Sequence, residues 1–136
     1  MKTNLDKLLD IKNRIIKIRI NVKIPTNIFE YIDFEKQNPK LVSILESLFS
    51  KYDKFSEKLK FENKKLMKGA NIRFIIKQNG KFIIKEGNLI KIKQLNNKID
   101  WFIEVEDINN KQKYKIEFDM LEKIKGEKKW KLTKTK

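Results

Sequence analysis

The chain has 136 residues, with 33 Lys and Arg against 18 Asp and Glu, a formal charge of +15, and neither His nor Cys. That length suits one compact unit combining a helical part and a small β part, and excludes a large two-domain enzyme. Without His and Cys there is no disulfide, no thiolate nucleophile, no Cys-based zinc site, and no imidazole to act as a base near neutral pH.

Apolar residues make up 40% of the chain, including nine Phe, two Trp and three Tyr, so a core is expected despite 38% charged residues. No apolar run reaches the ~20 residues of a membrane span, and the start MKTNLDKLLD lacks the apolar stretch of a signal peptide. The expected setting is cytoplasmic, without membrane contact.

Lys occurs 30 times, Ile 21 and Asn 13, against three Arg and one Ala, and an A/T-rich coding sequence accounts for part of that bias. The charge is not spread evenly, however. Residues 1–68 carry 16 basic and nine acidic side chains, residues 69–122 ten and eight, and residues 123–136 seven and one.

In chain order, Leu5, Leu8 and Leu9 follow a helical spacing over residues 4–13, with Thr3 or Asn4 as N-cap. Ile16, Ile18, Ile20, Val22 and Ile24 then alternate with Lys17, Arg19, Asn21 and Lys23 up to Pro25, which predicts a strand with a basic outer face. Thr26 or Asn27 caps a short helix expected to turn Ile28, Phe29, Ile32 and Phe34 inward. Asn38-Pro39 opens the dominant helix, whose stripe is Leu41, Ile44, Leu45, Leu48, Tyr52, Phe55, Leu59 and Leu66. A break is expected near residues 60–63 and a stop at Lys68-Gly69.

From Asn71 the pattern is β. Strands are predicted at 72–77, at 82–85 carried through a bend or bulge at Glu86-Gly87-Asn88 into 89–95, at 101–106 and at 114–118, with a hairpin turn at Asn79-Gly80 and a last strand over Lys128–Thr133. Close spacing and tight turns predict a small, curved antiparallel barrel. The fold class is therefore α+β, with N-terminal helices and one strand (residues 1–68) packed on a five-stranded antiparallel barrel with a basic tail (residues 69–136).

The segment GKFIIKEGNLIKIKQLNNKIDWFIEVEDINNKQKYKIEFDMLEKI, Gly80 to Ile124, resembles the core of SH3-like barrels of the KOW and Tudor kind: a Gly, an Ile-rich strand, an aromatic-led strand, a Tyr-led strand and a closing Met120-Leu121-x-x-Ile124. The likeness covers about residues 70–133, and none is seen in the N-terminal half. It implies a barrel that binds RNA, DNA, ribosomal or polymerase surfaces, or peptides, without doing chemistry. Trp101, Phe102 and Tyr114 are the candidates for a Tudor-type aromatic cage, although Trp101 and Tyr114 are in step with core aliphatics.

Two basic segments carry the expected contacts. On the 16–24 strand, Lys17, Arg19 and Lys23, with Lys12 and Arg14 nearby, form a strip suited to a phosphate backbone. The other reading of the strip is a solvated face that discourages strand-to-strand pairing. In the tail, Lys125, Lys128, Lys129 and Lys131 surround Trp130, pairing amines for phosphates with an aromatic for a base. Scarce Arg argues against base readout, so weak sequence specificity is expected.

Asp100, Glu104, Glu106 and Asp107 raise the idea of a metal site, but cross-strand balance with Lys91, Lys93, Lys113 and Lys115 explains them better. The serines lack a base, and the glycines are isolated turn residues that form no phosphate loop. The expected protein has no catalytic residues, metal or cofactor, and binds nucleic acid or a nucleoprotein complex. The alternative is a protein-interaction module using Trp101, Phe102, Glu104 and Glu106, for instance a phage- or plasmid-encoded inhibitor of a host nucleoprotein defence complex.

Overall fold

The structure is a computed structural model that describes residues 2–94 and 101–124. Among these described residues, three helices precede a curled, five-stranded antiparallel sheet. Helix α1 spans Asn4–Asn21, α2 Ile28–Gln37 and α3 Pro39–Glu62, followed by a single 3-10 turn at Asn63–Lys65. The strands are β1 Asn71–Gln78, β2 Lys81–Gln94, β3 Trp101–Asp107, β4 Lys113–Glu117 and β5 Leu121–Lys123, in the order β4-β3-β2-β1-β5.

The strand expected over residues 16–24 is instead the second half of α1 and the segment after it. Thr3 starts the helix with a capping box: its hydroxyl accepts from Asp6 N–H, and the Asp6 carboxylate accepts from Thr3 N–H. From there Leu5, Leu8, Ile11 and Ile15 bury one continuous stripe, and Ile11 and Ile15 pack with Leu48 of α3. Isoleucines at alternate positions satisfy a strand pattern locally. Burial along the longer helical period outweighs the few tenths of a kcal/mol that each β-branched residue costs in a helix.

Helix α2 forms where expected, with Asn27 Oδ1 accepting from Phe29 N–H and Glu30 N–H. Its orientation is reversed, because Ile28, Phe29 and Ile32 point outward, while Tyr31 and the half-buried Phe34 form a tilted ring pair 6.2 Å apart on another side. In α3 the buried stripe is Val42, Leu45, Leu48, Ser56 and Leu59, which leaves Ile44 outside it.

The Asn79-Gly80 turn has positive φ at both residues, 53° and 79°, the backbone that joins twisted strands with two residues. It sets Lys77 opposite Phe82. The bend or bulge expected between 82–85 and 89–95 lies within a single strand, β2, which pairs first with β1 and then with β3, with a register shift between Leu89 and Lys91. At its bend, a Cβ on Gly87 would lie 1.9 Å from Glu106 O, so close approach of β3 requires glycine there. The fifth strand is Leu121–Lys123, which returns to pair with β1, and the strand expected at Lys128–Thr133 lies outside the described residues.

Strand β1 is buried on both faces. Phe74 joins Ile72, Leu89, Ile103, Val105, Phe118 and Leu121 on one, and Ile75 joins Leu5, Leu8, Leu59 and Met120 on the other. Helices and sheet therefore share a core. Asn63 adds a polar tie by donating from its one amide nitrogen to Phe118 O and Leu121 O, both at 2.8 Å.

Candidate functional site

Antiparallel packing of α1 on α3, with the β1–β2 hairpin alongside, leaves a cleft of about 580 Å³ between the three. Its apolar surfaces come from Ile15, Ile16 and Ile20 of α1 and from Phe49 and Tyr52 of α3, with Phe82 of the hairpin closing the third side. Among the described residues three cations, Lys12, Arg19 and Lys77, line it against one carboxylate, Asp53.

Lys12 sits deepest. Its Nζ is 4.4 Å from the Phe82 ring centroid, 5.2 Å from that of Tyr52, and donates to the Tyr52 hydroxyl at 3.5 Å. Burial holds its pKa below the ordinary lysine value, opposed by Asp119 and Glu117 and reinforced by Arg19. Burial pushes the Tyr52 phenol up to about 12, with Asp119, Glu117 and Asp53 adding to the effect, so Tyr52 is neutral and serves as a polar ring. Behind them Asp119 is buried and accepts from Ser56 Oγ at 2.5 Å. Lys77 reaches the Phe82 ring from the strand opposite, at 5.9 Å.

Of the predicted contacts, Arg19 lies in the cleft, whereas Lys17 and Lys23 are exposed outside its lining. Residues two apart on a helix point about 200° apart, so Lys17 and Arg19 do not share the single face that a strand would have given them. A second basic cluster has formed around Phe55, where Lys7, Lys54 and Lys58 place their amines 5.5, 5.8 and 5.4 Å from its centroid. The tail residues Lys125, Lys128, Lys129, Trp130 and Lys131 lie outside the described residues.

Trp101 and Phe102 take the first two positions of β3, paired with Gln94 and Lys93. Tyr114, the third candidate for an aromatic cage, packs instead into the sheet core, 5.8 Å from the Phe74 ring. Glu104 pairs in register with Lys91 on one side and Lys115 on the other, and Glu106 stands opposite Lys113. Asp107 is fully buried, accepts from Lys85 Nζ at 2.9 Å and from Asn109 N–H at 2.8 Å, and is held below the usual carboxylate range chiefly by the Lys85 ammonium. Among the described residues no three carboxylates gather where a metal ion could be held, and no helix is long and apolar enough to cross a membrane.

The contacts expected from sequence do not include Lys77 or Phe82, while Tyr52 belongs to the apolar stripe expected on the long helix. The hairpin turn held a usable signal, since a two-residue loop after Gln78 dictates that Lys77 faces Phe82. Nothing local could have placed Phe49 and Tyr52 beside them. No protein-family model matches the chain, and neither a curated protein nor a solved structure matches it.

Proposed function

We propose that this protein is a non-enzymatic nucleic-acid-binding or regulatory protein that holds phosphate backbone through lysine-rich surfaces with weak sequence specificity. The observation that carries this is the cleft: three cations interleaved with aromatic rings, in a molecule of charge +15. Amines and a guanidinium attract phosphates over a distance set by salt, while an aromatic face offers a base a stacking surface. Exposed Arg14, Lys17 and Lys23 extend the positive surface along and beyond α1. The meander β1-β2-β3-β4, with β5 returning to β1, supports an SH3-like assignment for the sheet, a fold whose barrels bind such partners. Titration of labelled single-stranded and duplex oligonucleotides tests the proposal. Binding should weaken steeply with salt and vary little with sequence, and absent or salt-insensitive binding at low ionic strength overturns it.

A protein-interaction role is favoured by a different observation, the exposed Ile28, Phe29 and Ile32 of α2. Affinity capture with and without nuclease separates the two roles: a protein partner retained after nuclease supports interaction, and recovery lost with nuclease supports nucleic-acid binding.

A further inference from the structure

Helix α2 differs in character from the rest of the molecule. None of its ten residues is buried, and Ile28, Phe29 and Ile32 are 69%, 76% and 44% exposed. At 100° per residue these three form one strip with Lys36 between Ile32 and Phe29, flanked by Glu35 on one side and Asp33 on the other, with Tyr31 and Phe34 turned away from it. An apolar strip with two carboxylates at its margins and one lysine on it is complementary to a surface that is apolar, mainly basic and carries one carboxylate, as the cleft does with Asp53. The same chain presents one. The cleft has Ile16, Ile20 and Phe49 as apolar surface and Arg19 and Lys77 as exposed cations, and no residue of α2 lines it.

We propose that the protein self-associates by exchanging α2 helices, each copy's helix seated in the cleft of the other. Ile28, Phe29 and Ile32 then cover the apolar lining, including Ile20, which is 72% exposed in the single chain. Asp33 and Glu35 meet Arg19 and Lys77. A ten-residue helix is about 15 Å long, the scale of a helix laid in a groove. Reciprocal exchange about a two-fold axis covers both exposed surfaces on both copies and closes the assembly at a dimer. The α2 carboxylates and nucleic-acid phosphates then compete for the same cations. Self-association is measured on protein alone, so its failure is distinct from failure of nucleic-acid binding.

The test is sedimentation velocity of the full chain without nucleic acid, for the wild type and two charge-reversed variants, Asp33→Lys/Glu35→Lys and Arg19→Glu/Lys77→Glu. The wild type should dimerise, and each variant alone should dimerise roughly tenfold or more weakly. An equimolar mixture of the two variants should recover the dimer, because native helix meets native cleft and reversed helix meets reversed cleft. Recovery in the mixture also demonstrates that both variants are folded. A wild type that stays monomeric at high concentration, or well-folded variants, by circular dichroism, whose mixture does not associate, overturns the proposal.

Discussion

The side-chain amide of Asn13 and the main chain of Phe82 exchange two hydrogen bonds, Asn13 Nδ2 donating to Phe82 O at 3.0 Å and Phe82 N–H donating to Asn13 Oδ1 at 2.8 Å. Pairing of β2 with β3 begins only at Gly87, so a helix side chain stands where a neighbouring strand would be. This clamp fixes α1 against the start of β2. It thereby sets Lys12 over the Phe82 ring within the cleft.

Asn13→Ala removes both bonds and leaves a part-buried N–H and C=O at Phe82 without their partner. The expected loss is about 2 kcal/mol of stability, together with weaker oligonucleotide binding although no cation has been altered. Chemical denaturation read by Trp fluorescence checks the first, and a variant as stable as the wild type would show that the clamp holds nothing in place.

Arg73 of β1 ties α1 to β5, with Nη2 2.7 Å from Asp6 Oδ1 and Nη1 2.8 Å from Glu122 Oε1. Its hydrogen bond holds the Asp6 carboxyl down to about 2, against the opposing effect of partial burial. Because the folded-state value lies below the unfolded one, this ion pair contributes stability above about pH 4 and loses it as pH falls toward 2. Arg73→Gln should therefore cost about 2 kcal/mol near neutral pH, between the values for exposed and buried pairs, and the gap from wild type should shrink below pH 4. A gap independent of pH would assign the loss to packing and not to charge.

Gly87 tests space, with no appeal to unusual backbone angles. A methyl group there meets Glu106 O at 1.9 Å, Glu106 C at 2.8 Å and the Phe74 ring at 3.1 Å. Gly87→Ala should lower stability by about 3 kcal/mol by forcing β2 and β3 apart, seen as a lower denaturation midpoint. Wild-type stability in this variant would mean that β3 does not lie so close to the bend.

What was legible in the sequence was local chemistry. Asn79-Gly80 specifies its turn through two residues that tolerate positive φ, Asn38-Pro39 specifies the start of α3, and the strands over 101–107 and 113–117 lie close to their predicted bounds. The misread segments were decided elsewhere in the chain. Ile16, Ile18 and Ile20 fit a strand and a helix equally, and contact of Ile11 and Ile15 with Leu48, more than thirty positions away, selects the helix. Gly87 reads as a bend or bulge, and β2 does bend there while running on to pair with β3. The cleft draws on residues 12–20, 49–53 and 77–82, so only tertiary packing brings its cations and rings together. Of the basic strip expected along residues 12–23, Lys12 and Arg19 line it.

The most direct test of the central claim, that the cleft holds phosphate, is the slope of log affinity against log salt for an unstructured single-stranded oligonucleotide, measured for wild type and for Arg19→Gln/Lys77→Gln. Each lost phosphate contact lowers the slope by about 0.7 on single strands, so the double variant should bind more weakly with a slope shallower by about 1.4. An unchanged slope, with the variant as well folded as the wild type, would contradict the assignment and place the phosphate contacts outside the cleft.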